Sequence, residues 1–98
     1  MTINKTVEGI KLTIAVEGRL DTTTAPELES EITGSIAGVT ELCFDFANLA
    51  YISSAGLRVL LSTQKIMNKQ GKMIIINAND DIKEIFDVTG FVDILNIQ

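Results

Sequence analysis

Ninety-eight residues, 46% of them hydrophobic, with eight Lys and Arg against thirteen Asp and Glu and no His, describe one small domain over 1–98. Its net charge is −5 and its expected folded surface about 5,500 Å². Lacking His, the chain has no Ser-His or Cys-His couple and no His-ligated metal. The single Cys excludes an intrachain disulfide and fits a reducing compartment. The acidic balance argues against direct nucleic-acid binding. No apolar run nears the roughly 18 residues of a membrane span, and the first residues lack a signal-like apolar core, so a cytoplasmic protein without membrane insertion is expected.

Thr2 to Val7 reads as a weak strand joined through Glu8-Gly9 to a stronger one, Ile10 to Glu17, whose apolar residues recur at every second position. After Asp21 the period changes. Thr24-Ala25-Pro26-Glu27 has the form of a capping box. Ala25, Leu28, Ile32 and Ile36 then form one apolar stripe, Glu27, Glu29 and Glu31 face water away from the second helix, and Gly38 is the expected stop.

Leu42 to Phe46 is a strand, and Asn48 to Ser53 a connection. Ser54 is read as the cap of a second helix, Ala55 to Lys69, with Leu57, Leu60, Leu61 and Met67 inward and Gly71 at its end. Met73 to Ile76 is continuously apolar, as a central strand covered on both faces would be. Asp80 to Val88 is a short helix burying Ile82, Ile85 and Phe86, and Val92 to Ile97 is a short strand or a helical turn. The order ββαβαβα plus a short C-terminal tail predicts an α/β domain with a mixed, mostly parallel sheet and helices packed on it. Asp21, the Asn48–Ser54 loop and Asn77–Asn79 then share the rim beyond the strands' carboxyl ends.

The segment Tyr51-Ile52-Ser53-Ser54-Ala55-Gly56-Leu57-Arg58 is the most informative. As a plain N-cap, Ser54 would satisfy one orphan amide, worth about 1 kcal/mol. Neither G-x-S-x-G nor a phosphate-binding loop is present, so a nucleophile elbow and a nucleotide cradle fail. As a phosphoryl acceptor, Ser54 would place about −1.5 to −2 charges where free helix amides favour them. Spacing alone favours the N-cap reading. Arg58, one turn on, is either a solvated charge or a contact for that phosphate or for an acidic patch on a partner. Asp21 closes a turn on the bland reading, Cys43 is an inert core residue, and Tyr51 packs with its hydroxyl exposed.

Gly18-Arg19-Leu20-Asp21-Thr22-Thr23-Thr24-Ala25, the stretch Asp45 to Leu57, and Ile74 to Phe91 together resemble the STAS domain family, in particular its stand-alone bacterial anti-sigma factor antagonists. The likeness covers nearly the whole chain. It implies a STAS-type fold and a non-enzymatic partner switch with no catalytic residue, cofactor or metal. The unmodified protein would bind an anti-sigma factor serine kinase of histidine-kinase-like ATPase fold. Phosphorylation would release it, and a PP2C-type serine phosphatase would restore it. The acceptor position falls on Ser54, with Ser53 as second choice because many relatives carry Asp there. Asp21 falls on the family's loop acid. The partner-binding set is Asp21, Thr22, Thr23, Ser53, Ser54, Ala55, Gly56 and Arg58. The alternatives are a STAS-type regulatory subunit of a membrane transporter (lipid or ABC type) and a small-ligand sensor without a phospho-switch.

Charge is unevenly spread. Between Asp45 and Asp80 there is no acid, while Arg58, Lys65, Lys69 and Lys72 all lie there. The remainder sets four cations against thirteen acids, so a phosphate on Ser54 would meet a more favourable field than the mean charge suggests.

Overall fold

A computed structural model describes residues 1–98. β1 (Thr2–Glu8) and β2 (Lys11–Leu20) form an antiparallel hairpin from Thr2↔Glu17 to Glu8↔Lys11. Gly9 opens the two-residue turn with φ 61°, a conformation that costs glycine nothing. Beyond α1 (Ala25–Thr33) come β3 (Glu41–Asp45), β4 (Leu49–Ile52), α2 (Ser54–Gln70), β5 (Lys72–Ile76) and α3 (Asp80–Val88). The sheet order is β1-β2-β3-β5, with β4 pairing β2, and every pairing except β1–β2 is parallel. The accessible surface is 5273 Å², close to the value expected from chain length.

One side of β2, β3, β4 and β5 builds the core, while β1 stays almost wholly exposed. Leu12, Ile14, Val16 and Leu20 of β2, Leu42 and Phe44 of β3, and Met73 and Ile75 of β5 join Leu28, Ile32, Leu57, Leu60, Met67, Ile82 and Phe86 in a single cluster. Helices therefore cover this face, while the intervening residues Lys11, Thr13, Ala15 and Glu17 stay partly or fully open. Burying one such aliphatic side chain contributes roughly 1.5–3 kcal/mol.

Four local expectations change, and one left open is resolved. The Asn48–Ser53 connection contains β4, concealed because Ala50 is an extra residue opposite β2. Pairing runs Gly18↔Leu49 and then Arg19↔Tyr51, so the inward residues Leu49 and Ile52 stand three apart instead of two. Met73–Ile76 is not central. β5 ends the strand order and buries only alternate residues, its outward positions being isoleucines too. The stop of α1 is Gly34 rather than Gly38, whose φ of 79° belongs to the following loop. No capping box forms, since the Thr24 hydroxyl donates instead to the Arg19 carbonyl (2.8 Å). At the end of the chain both readings hold in part: Phe91–Asp93 is a 3-10 turn, and Ile97 bridges Ile75 in parallel.

Candidate functional site

The carboxyl ends of β2 and β4 lie side by side, and the Ser53 amide donates to the Leu20 carbonyl at 2.8 Å. This bond joins the β2–α1 loop, carrying Asp21, Thr22 and Thr23, to the start of α2, carrying Ser53, Ser54, Ala55 and Gly56. The rim anticipated from strand polarity therefore exists. Asn77 and Asn79 reach it too: Asn77 donates to the Asp45 carboxylate (3.1 Å) and Asn79 to the Leu49 carbonyl (3.1 Å).

The two serines exchange the places expected of them. Ser53, extended at ψ 176°, is the N-cap, and its Oγ accepts from the Gly56 amide at 3.4 Å. Ser54 is the first helical residue, exposed, with its hydroxyl unengaged in the chain. The amides of Ser54 and Ala55 open the helix without an intrahelical acceptor, as first-turn amides do. With Ser53 taking the cap, the hydroxyl of its neighbour is left free. Gly56 is fixed by space: a Cβ there would lie 2.7 Å from Leu20 Cγ and 2.8 Å from Ile52 Cγ1. Its bareness lets α2 settle directly on the two strand ends.

Asp21 performs the turn-closing role. Its Oδ1 accepts from the Thr23 hydroxyl (2.8 Å), the Thr23 amide (3.0 Å) and the Thr24 amide (3.2 Å). The Thr23 hydroxyl above all, with those amides and the Thr24 hydroxyl helping, holds the carboxyl below its ordinary 3.8, against an opposing effect of partial burial. A depressed folded pKa stabilises the loop fully above the unfolded value, and that stabilisation is lost as pH falls through the folded one. An NMR titration should place the Asp21 midpoint below 3.8, and Thr23→Val should raise it. An unmoved midpoint in that variant would remove the hydroxyl as cause.

A groove of about 340 Å³ runs between α1 and α2, bordered by Thr22, Ala25, Glu29, Ala55, Arg58 and Ser62. It brings Arg58 together with the loop residue Thr22. It also places Glu29 on the wall opposite Arg58, so the acidic series on α1 does not stay clear of α2. Cys43 is buried, and burial pushes its thiol up, in keeping with an inert residue.

Sequence reasoning missed one pair. The Arg19 guanidinium lies 4.3 Å from the Tyr51 ring centroid, with its Nε 3.8 Å from Asp21 Oδ2. The residues are cross-strand partners only because of the Ala50 bulge. A half-exposed aromatic directly before Ile52 was the available signal, and its partner needed the register.

The STAS domain description matches residues 2–98. A candidate anti-sigma factor antagonist of Bordetella bronchiseptica, BtrV, is 30% identical over 99% of this chain and 84% of its own. The anti-sigma-B factor antagonist of Staphylococcus aureus is 31% identical over 87% of this chain and 81% of its own. The Bacillus cell fate determinant SpoIIAA, solved in its phosphorylated form, superposes with a TM-score of 0.77 at 19% identity, covering 99% of this chain and 91% of that one.

Proposed function

Because the chain belongs to the STAS domain family, we propose that it is an anti-sigma factor antagonist that works by partner switching, with Ser54 as the phosphoryl acceptor. Unmodified, it binds an anti-sigma factor serine kinase through the rim formed by Asp21, Thr22, Thr23, Ser53, Ser54, Ala55, Gly56 and Arg58. Phosphorylation of Ser54 ends that binding, and a PP2C-type phosphatase reverses it. The relatives' names support the antagonist role. The observation that carries the choice of acceptor is the division of labour between the serines. Ser53 Oγ is committed to the Gly56 amide, while the Ser54 hydroxyl is exposed and unengaged.

The chemistry asked of this chain is small. A kinase must reach the Ser54 oxygen, remove its proton and transfer the phosphoryl group from ATP, all with its own residues. The product's charge then rests on the opening turn of α2, where the dipole and free amides favour an anion by about 0.3–1 kcal/mol. The fold survives the modification and only the rim's electrostatics change.

Incubation with ATP and the histidine-kinase-like ATPases of the source genome, followed by intact mass, tests the reading. One added phosphoryl group is expected, lost in Ser54→Ala and kept in Ser53→Ala. The latter should be destabilised by about 1 kcal/mol as a lost cap, measurable by urea unfolding. A phosphoryl group that persists in Ser54→Ala and vanishes in Ser53→Ala would move the acceptor. The absence of any added mass with every kinase would reject the switch.

A further inference from the structure

β1 leaves one row of main-chain groups without partners. The even-numbered residues of β2 and its turn bond away from β1. The Ile10 carbonyl accepts from the Thr40 (3.0 Å) and Glu41 (3.3 Å) amides, the Gly18 amide donates to Asn48 (3.0 Å), and the Leu20 carbonyl accepts from Ser53 (2.8 Å). Lys11, Thr13, Ala15 and Glu17 therefore exchange the hairpin's bonds with Glu8, Thr6, Asn4 and Thr2. Alternation then turns the amides and carbonyls of Ile3, Lys5 and Val7 outward along an open edge.

The devices that guard such an edge are missing. β1 runs from Thr2 to Glu8 without Pro or bulge. Its lysine is drawn back onto the helix layer, with Lys5 Nζ 2.7 Å from Glu31 and 2.9 Å from the Ser35 hydroxyl. Val7, 65% exposed, and Ile10, 60% exposed, add apolar surface beside it.

The strand also matches itself. Laid antiparallel against a copy with Lys5 on the twofold axis, Thr2 to Glu8 overlaps in full. Ile3 then stands opposite the copy's Val7, Lys5 opposite the copy's Lys5, and each opposed pair exchanges two main-chain bonds. A slip of two residues either way loses one of these pairs. Ile3 and Val7 meet on the core side, since their partners on β2, Val16 and Leu12, are fully buried. At the axis the two Lys5–Glu31 pairs stand side by side, and their charges sum to zero.

We propose that β1 is the pairing edge for a second copy of this chain, which joins the two sheets through Ile3, Lys5 and Val7. The inference does not depend on the partner switch. An isologous contact of this kind gives each copy the same bonds, and β2 already holds β1 extended, so little order is lost on pairing. The contact is small, which makes the pair reversible and dependent on concentration. Its axis, perpendicular to the sheet, reverses the strands. The two Ser54 rims therefore lie at opposite ends, and neither is covered.

Sedimentation velocity between about 5 and about 500 µM should show the mass rising toward twice the monomer's. Val7→Pro removes one outward amide and leaves the β1–β2 bonds in place. It should raise the dimer Kd at least tenfold, with far-UV circular dichroism checking its fold. Val88→Lys, at an exposed apolar residue of α3, should change Kd less than twofold. Under mild oxidation Lys5→Cys should couple to its copy, the two Cα atoms being about 5.5 Å apart. Val7→Cys, about 14 Å from its copy, should not. A chain still monomeric at the highest concentration, or a Val7→Pro variant that pairs like wild type, overturns the proposal. So does faster coupling by Val7→Cys than by Lys5→Cys, which also covers the case of a misfolded proline variant.

Discussion

Replacing Gly71 by Ala should cost about 3 kcal/mol, the upper end of the usual range for overpacking, and lower the melting midpoint by ~12–24 °C in a domain of this size. The reason is space rather than backbone angle, because φ 170° is extended and open to any residue. A Cβ would press on the Thr40 carbonyl, 2.6 Å from its carbon and 2.8 Å from the Thr40 Cα. Those are main-chain atoms and cannot rotate aside. Thr40 is also held from both sides: its amide donates to Ile10 (3.0 Å), and its carbonyl accepts from Lys72 (2.9 Å) at the start of the β3–β5 pairing. Gln70 fastens the same loop through the carbonyls of Ile36 and Val39. Gly56→Ala makes the instructive comparison. Its added methyl also collides, at 2.7–2.8 Å, but with buried side-chain carbons of Leu20 and Ile52 rather than main chain, and helix propensity returns about 1 kcal/mol. Thermal melts of the two variants check the ranking, which is wrong if Gly56→Ala proves the less stable.

Ser54→Glu should weaken kinase binding about 100-fold, equivalent to about 2.7 kcal/mol, with the melting midpoint unchanged or slightly raised. A carboxylate in the first turn suits the α2 dipole, and the exposed position demands no repacking. Any loss of affinity therefore belongs to the interface. Ser54→Ala should bind like wild type yet never be released by ATP, so a pull-down followed over time separates the two variants. Equal binding by Ser54→Glu and wild type would show that charge at this position is not the signal.

How much of this was legible depended on whether a feature is local. The period-two face of β2 and the stripe of Ala25, Leu28 and Ile32 on α1 are written in consecutive residues, and they appear where those residues place them, while α2 starts one residue earlier than its spacing suggests. Family likeness pointed to Ser54, yet spacing alone gave it the cap that Ser53 holds. Either serine can accept the amide three residues on, and only the backbone angles decide. β4 was hidden by the one-residue bulge at Ala50, which breaks the alternation that reveals a strand. The place of β5 at the edge was hidden by its own composition, because Ile74 and Ile76 are as apolar as the buried Met73 and Ile75. The Arg19–Tyr51 stack and the groove joining Glu29 to Arg58 are contacts between distant segments. No window of sequence contains them.

The return of the chain onto β5 has a consequence for assembly. The Ile75 amide donates to Asn96 at 2.9 Å, and the Gln98 amide to Ile75 at 2.8 Å, so the middle of that edge is already occupied. β1, on the opposite side of the sheet, has no such cover. A molecule with two sticky edges can add copies without end, as fibres do. An edge strand that stays open, as β1 does, can meet the same strand of a second copy edge to edge across a twofold axis, and growth through that edge stops at a pair. The last few residues act in this sense as a chain terminator for the sheet.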